Sequence, residues 1–323
     1  MNRIDTVDLP DFSDVHILVI GDTMIDRYIS GDVKRISPEA PVPVVEQKSY
    51  ENRAGGAANV AMNILSLGAQ ATLLSICGAD EAADLMKAVL INNSRLDVRL
   101  IPCQDRKTTV KTRIMAGNQH LIRVDNEDKH DINAEQEKQV FEHFIDIINT
   151  GKIDGIILQD YNKGMLTATL IEKIMQSCVN LQIPVFVDPK EKNFLAYRNC
   201  TIFKPNKKEV FQSIGYQTSL DDADKVLRES MNHSITMITL GKDGLYLHDG
   251  LTGTIYPTSP RDISDVCGAG DSVISVACLC YIRKVPLSEI AIIANTAGGQ
   301  VCESPGVVPV NYKKLKDELL KLN

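Results

Sequence analysis

Short apolar runs that end in glycine or an acid recur along this chain, with stretches of helical periodicity between them. His16-Ile17-Leu18-Val19-Ile20-Gly21 is the first such run and reads as a strand buried on both faces. Comparable runs follow at 71–76, 153–158, 184–187, 201–203 and 234–240. Helical patterns lie at 57–65, 81–90, 135–148 and 167–178, and a late apolar run extends from Val273 to Tyr281. This repeated strand–helix order predicts an α/β fold with a mainly parallel central sheet and helices on both of its faces. Two stretches do not fit the frame. Residues 28–34 and 41–47 alternate poorly as core, and Pro41 and Pro43 confine the second of them to a sheet edge. Residues 108–115 and 119–125 flank Ala116-Gly117-Asn118, a hairpin signal. Together they predict a small β-sheet lid built from two sequence-distant parts, about 27–48 and 106–125, on one large domain covering residues 1–323.

Composition narrows the classes. The 323 residues are 44% hydrophobic, enough for one large core. Charges of both signs are mixed and the net charge is -7, with no basic stripe, so a nucleic-acid partner is not expected. No apolar run reaches the length of a membrane span, and Met1-Asn2-Arg3-Ile4-Asp5 opens no signal-peptide core. The 8 cysteines are scattered without a CxxC pair and read as reduced core thiols of a cytoplasmic protein. Cys278 and Cys280, two apart in a helical run, should point to different sides of it.

The candidate chemistry centres on Asp265-Val266-Cys267-Gly268-Ala269-Gly270-Asp271-Ser272. Gly268 and Gly270 allow a tight turn into a helix, and the first turn of a helix offers unpaired amides at the positive end of its dipole. An anion can be held there without a side chain. Asp271 is then either a helix cap or a base set beside an anion hole. Gly55-Gly56 opens a second helix with Asn59 in its first turn, which serves either close packing or a polar ligand. Asp22, Asp26, Asp160, Lys163, Asp188 and Lys190 all follow strands, where ligands of open α/β sheets gather. Individually they are also ordinary loop acids, a turn former before Pro189 and surface lysines. Neither a Walker pattern nor GxGxxG is present.

Several motifs together resemble the ribokinase-like, or pfkB-type, carbohydrate kinases. They are Gly55-Gly56-Ala57-Ala58-Asn59, Asn206-x-x-Glu209, Thr239-Leu240-Gly241-x-x-Gly244 and Asp265-x-x-Gly268-Ala269-Gly270-Asp271. The likeness runs from about His16 to Pro309 and implies a three-layer α/β/α kinase with a β lid. The stretch Arg35-Ile36-Ser37-Pro38-Glu39-Ala40-Pro41-Val42-Pro43-Val44-Val45, with Asp160-Tyr161-x-Lys163-Gly164 and Asp188-Pro189-Lys190, is similar to the heptose 7-phosphate kinase branch. The resemblance implies ATP and Mg²⁺ as cofactors and phosphorylation of the anomeric hydroxyl of the heptose. Asp271 is the implied base, and the amides of Gly268, Ala269 and Gly270 the γ-phosphate cradle. Asp22, Asp26, Gly55, Gly56, Asn59 and Asp160 are implied for sugar hydroxyls. Lys163, Lys190, Arg113 and Arg123 are implied for the distal phosphate, Lys163 and Arg123 foremost. Asn206, Thr239, Gly241, Gly244 and Asn295 would line the ATP site, and Glu209 would act on Mg²⁺ through water. Family analogy adds a monovalent cation near Asp265 and a homodimer through the lid. Another sugar or sugar-phosphate kinase, or a non-catalytic sugar- or nucleotide-binding regulator, are the alternatives. Cys267 and Ser272 depart from the usual Thr or Ser and Thr beside the anion hole. No HxGH motif is present, so a second, adenylylating activity is not expected.

Overall fold

The computed structural model describes residues 7–91, 93–117 and 119–322. The Met1–Asp5 stretch and Asn118 of the hairpin turn lie outside the described residues. Strand β1 (His16–Gly21) leads into two long strands, β2 (Thr23–Ile36) and β3 (Pro43–Gly56), and then into helix α1 (Ala57–Ser66). Next come β4 (Gln70–Gly78), α2 (Glu81–Leu90), β5 (Leu96–Cys103), β6 (Val110–Ala116) and β7 (Gln119–Asn126). The middle of the chain holds α3 (Ala134–Thr150), β8 (Gly155–Gln159), α4 (Ala168–Leu181), β9 (Val185–Asp188), β10 (Ile202–Phe203), α5 (Lys207–Ile214) and α6 (Leu220–Met231). It closes with β11 (Ile235–Thr239), β12 (Leu245–His248), β13 (Gly253–Tyr256), α7 (Ala269–Ile282), α8 (Leu287–Cys302) and α9 (Tyr312–Leu320).

The main sheet has the order β13-β12-β11-β10-β9-β8-β1-β4-β5. It is parallel from β11 to β5, and β12 and β13 add an antiparallel edge. Strand β1 shows why its sequence is apolar throughout. Ile17 and Val19 enter the core under α1, α7 and α8, while Leu18 and Ile20 enter the core under α3 and α4. Helix α7 is buried on every side, so Cys278 and Cys280 are both fully enclosed although they leave the helix in different directions. All eight cysteines are free. No helix among the described residues is long and apolar enough to cross a membrane.

The second sheet, ordered β3-β2-β6-β7, is the expected lid. It begins earlier than the sequence suggested. Residues 23–27 are strand rather than loop, so Asp26 stands on lid strand β2. Pro43 opens edge strand β3, as proline chemistry requires. Asp26 faces Lys111 in register across β2 and β6, and Tyr28 faces Arg113. The period of two thus sets these four side chains on one face of the lid root.

Gly56 closes the path from lid to core. Its φ of 60° lies in the left-handed region, and a Cβ there would sit 2.3 Å from the Asp22 carbonyl oxygen. Substituting Gly56→Ala is expected to cost ~2–4 kcal/mol, from the backbone conformation and the clash together. A urea midpoint equal to wild type would show that this junction is not so constrained.

Candidate active site

Two helices begin without a side-chain cap, and their first turns meet. Helix α1 starts after Gly56 and α7 after Gly268, whose φ is 82°. Asn59, in the first turn of α1, donates from Nδ2 to Asp271 Oδ2 at 2.7 Å. Asp271 lies in the first turn of α7 and is only 3% exposed. Its other oxygen, Oδ1, accepts from Tyr161 O–H at 2.8 Å and from Gln159 Nε2 at 3.1 Å. The same Gln159 nitrogen donates to Asp188 Oδ2 at 3.0 Å. Lys204 Nζ lies 3.0 Å from that Asp188 oxygen. A Cβ on Gly270 would come within 3.4 Å of Lys204 Nζ and 3.6 Å of Asp188 Oδ2. The glycine turn therefore opens onto a cation and a carboxylate as well as onto the base.

Burial pushes the Asp271 carboxyl up to about 7, and the neighbouring Asp188 charge adds to this. The Asn59 and Tyr161 hydrogen bonds pull the other way. A carboxyl balanced near neutrality is suited to accept a proton during a reaction at neutral pH. Asp160 is also raised, to about 6, by burial and by the Asp22 charge.

The lid packs against the loop before α7 and the loop after α8. Tyr28 O–H accepts from the Val307 amide at 3.0 Å, and Arg53 Nη1 donates to the carbonyls of Pro305 and Val307. The guanidinium groups of Arg53 and Arg113 lie over the Tyr28 ring, at 4.8 and 5.4 Å from its centroid. His120 on β7 reaches to 3.7 Å from Asp265. Lid and glycine turn thus enclose one crevice.

The model of the pfkB family carbohydrate kinases matches residues 15–313 of the chain. The chain belongs to that family. A pfkB kinase is an ATP-dependent carbohydrate kinase. Similar proteins include the bifunctional protein HldE of Methylobacillus flagellatus, 38% identical over 310 residues, which are 94% of this chain and 63% of that protein. HldE of Vibrio vulnificus is 36% identical over 316 residues, 96% of this chain and 65% of the relative. The chain thus spans just under two thirds of the length of these curated relatives. In fold it is similar to phosphofructokinase-2 from Escherichia coli in complex with potassium, with a TM-score of 0.78 at 18% identity, covering 96% of this chain and 99% of the other. It is also similar to Arabidopsis thaliana ribokinase complexed with ribose and ATP, with a TM-score of 0.69 at 14% identity, covering 96% and 100%.

Several of the side chains expected at this kinase site have partners of their own. Asp22 accepts from the amides of Tyr161, Lys163 and Met165, so its carboxylate shapes the loop after β8. Asp160 accepts from the Asn162 amide and from Tyr197 O–H, both at 2.7 Å. Asp26 is buried against Arg113 and lies over Gly55, where a Cβ would be 2.3 Å from Asp26 Oδ2. Arg123 is paired in register with Arg113 and leaves the same face of the lid, but its side chain is 55% exposed and pairs with Asp125 on its own strand. Lys163 Nζ lies 2.6 Å from Glu127. Lys190 pairs with Glu209 and stands 5.6 Å from the Tyr161 ring centroid.

On the nucleotide side, Asn206 and Glu209 form the capping box of α5, and Asn206 bridges to Thr239. One Glu209 oxygen accepts from the Asn206 amide and the other meets Lys190. Among the described residues no group of three or more His, Cys, Asp or Glu is placed to hold a metal. Gly241 and Gly244 take φ of 62° and 99° in the turn after β11. Asn295 donates to the carbonyls of Tyr256 and Pro257 and, with them, borders a cavity of about 260 Å³. Asp265 accepts from the amides of Cys267 and Gly306. Burial and the hydrogen bond to Asp265 push the Cys267 thiol up to about 11. Ser272 O–H bonds Asn63 Oδ1 and the Gly268 carbonyl, tying α7 to α1.

Sequence reading missed Gln159, Lys111 and Lys204. Gln159 ends an apolar strand and Lys204 precedes a Pro-Asn turn, which are faint signals. Lys111 alternates with Arg113 on β6, and that period was its only mark.

The Asp271 carboxyl gives a sign for pH-dependent stability. Its folded value, about 7, lies above the ordinary 3.8, so between these limits the folded chain holds the extra proton. Stability from this group therefore falls as pH rises from about 4 to 7. In Asp271→Asn that fall should be smaller by roughly 1–3 kcal/mol over the window. Urea titrations of both proteins at a series of pH values measure it, and parallel curves would contradict the assignment.

Proposed function

We propose that this kinase transfers the γ-phosphoryl group of ATP to the anomeric hydroxyl of D-glycero-D-manno-heptose 7-phosphate, giving the 1,7-bisphosphate as a step toward ADP-heptose. The observation that carries the reading is the pair of cations Lys111 and Lys163 beside Tyr161, whose hydroxyl donates to Asp271. Lys111 Nζ stands 6.0 Å from the Tyr161 ring centroid and has no carboxylate within ion-pair distance among the described residues. Burial, and then the neighbouring Lys163 charge, lower the Lys111 pKa, so a dianion arriving between them relieves both costs. A sugar phosphorylated at its far end suits cations at one end and a base at the other. The heptose itself is supported by the likeness of residues 35–45 and of Asp160-Tyr161-x-Lys163-Gly164 to heptose 7-phosphate kinases.

In this reading the amides that open α7 hold the γ-phosphate, with Lys204 and Lys190 alongside. Bound ATP and Mg²⁺ would supply the phosphoryl group and neutralise its charge. Asp271 takes the hydroxyl proton as the sugar O–P bond forms and ADP departs. Asn59 orients the acceptor hydroxyl, and the lid excludes water. Cytoplasmic substrates and a homodimer through the lid belong to the same proposal. The lid exposes Ile36, Val42, Ile122 and Val124, an apolar face that a second copy would cover.

Mass spectrometry of products from ATP with heptose 7-phosphate, fructose 6-phosphate and ribose tests the acceptor. A bisphosphate from heptose 7-phosphate is expected at far higher kcat/KM than any other product, and preference for ribose would overturn the reading. Lys111→Met should raise the sugar-phosphate KM by ~10-fold or more while kcat changes little. Asp271→Asn should lower kcat by ~10²–10⁴-fold with ATP affinity near normal. Wild-type turnover by that variant would remove Asp271 from the role of base.

A further inference from the structure

A carboxylate that serves as a base needs one lone pair facing the acceptor. Asp271 accepts three donors. Tyr161 O–H and Gln159 Nε2 both bond Oδ1, while Oδ2 has only Asn59. Each carboxylate oxygen carries two lone pairs. Oδ1 is therefore full, and Oδ2 keeps one position open on the side of Asn59 and Gly268. The Asn59 nitrogen lies 3.1 Å from where a Cβ of Gly268 would be, so that position borders the glycine turn.

We propose that Tyr161 is a positioning residue for the base: with Gln159 it fills Asp271 Oδ1, so that Oδ2 takes the proton of the sugar hydroxyl. The inference rests on the phosphoryl-transfer reading of Asp271, though not on the identity of the sugar. The step balances in simple terms. The sugar O–H bond breaks toward Oδ2, the oxygen gains the γ-phosphorus, and the bond from that phosphorus to the β-phosphate oxygen breaks, releasing ADP.

Tyr161 is itself held in place. Its amide donates to Asp22 Oδ2 at 2.9 Å, and Asn162 follows it with a φ of 53°. Lys111 and Lys190 lie near its ring, at 6.0 and 5.6 Å from the centroid. Its hydroxyl is buried among carboxylates, with Asp271, Asp188 and Asp26 all acting to keep the proton on it. It is therefore a permanent donor to Oδ1. The charged groups facing Asp271 are Asp188 on β9, Lys204 after β10 and Lys190 after β9. Against that fixed background, loss of the Tyr161 bond makes the ionised carboxylate less favourable.

Tyr161→Phe keeps the ring and removes the donor. Infrared difference titration of the Asp271 carboxyl, identified by its disappearance in Asp271→Asn, needs no substrate. The wild-type midpoint should lie near 7, and the Phe variant should titrate higher by about one pH unit. With ATP and whichever sugar the wild type phosphorylates, the acid limb of kcat/KM should move up by the same amount. At neutral pH kcat should fall ~5-fold with the sugar KM within about twofold. An unmoved titration midpoint overturns the proposal. So does a raised KM at unchanged kcat, which would make Tyr161 a substrate contact. A shifted titration in a protein that leaves heptose 7-phosphate untouched supports the positioning role and counts against the heptose reading alone.

Discussion

A buried hydrogen bond between two helix beginnings organises this molecule. Asn59 and Asp271 each lie in a first turn opened by a glycine, and the 2.7 Å contact between them fixes how α1 and α7 meet. Neither helix end has a side-chain cap, and both present their positive ends to the same crevice. A carboxylate at that junction feels the favourable dipoles and the unfavourable burial together. Its affinity for a proton reflects the balance of the two, and burial wins by enough to bring it near neutrality. Ser272 and Asn63 make a second link just behind the first, and Asn63 Oδ1 also accepts the Val310 amide. The segment after α8 is thereby tied to the same joint.

Around this joint, carboxylates shape loops as well as meet charges. Asp22 gathers three amides of the loop after β8, which sets the height of Tyr161 above the base. Arg106 holds the same loop from outside through the carbonyls of Lys163 and His130. Gly164 stands there at a φ of 90°, and because a Cβ would fall 1.9 Å from the His130 carbonyl oxygen, only glycine fits. The lid strand β2 starts two residues after β1 ends, so lid and main sheet share one rigid root. The geometry of the base is thus coupled to the lid through covalent continuity at Asp22 and through the Arg113–Asp26 pair.

Much of the frame was legible because burial on both faces leaves an unmistakable mark. The predicted helix at 81–90 coincides with α2, and the strand runs at 16–21, 71–76 and 184–187 fall on β1, β4 and β9. Strand β5 was not read, since its edge position mixes Asp97 and Arg99 with partly buried Leu96 and Val98. The antiparallel pair β12 and β13 and helices α6, α8 and α9 were likewise unread. The glycine turn and Asn59 stood out because glycine, alanine and a lone amide open an apolar helix. The partners of the acids did not. Which carboxylate meets an amide and which meets a cation is decided by tertiary partners, as with Asp22 and Tyr161, 139 positions apart, and Asp26 and Arg113. Local spacing carries no record of that choice. Arg123 shows the converse: its type suits phosphate, but Asp125 on the same strand takes it.

The buried cations around this joint are largely neutralised by the chain itself. Lys163, Lys190, Lys204 and Arg113 each have a carboxylate partner, respectively Glu127, Glu209, Asp188 and Asp26. Uncompensated burial of four cations would be far more costly than their pairing. The two most enclosed of these cations, Lys204 and Arg113, have side chains 3% and 8% exposed, and each is paired. Lys111 stands outside this scheme, part-buried beside Lys163 with an aromatic face as its nearest support. A cation left in that condition favours whatever anion can reach it. An anion arriving at Lys163 must compete with Glu127, whereas Lys111 has no carboxylate within ion-pair distance among the described residues.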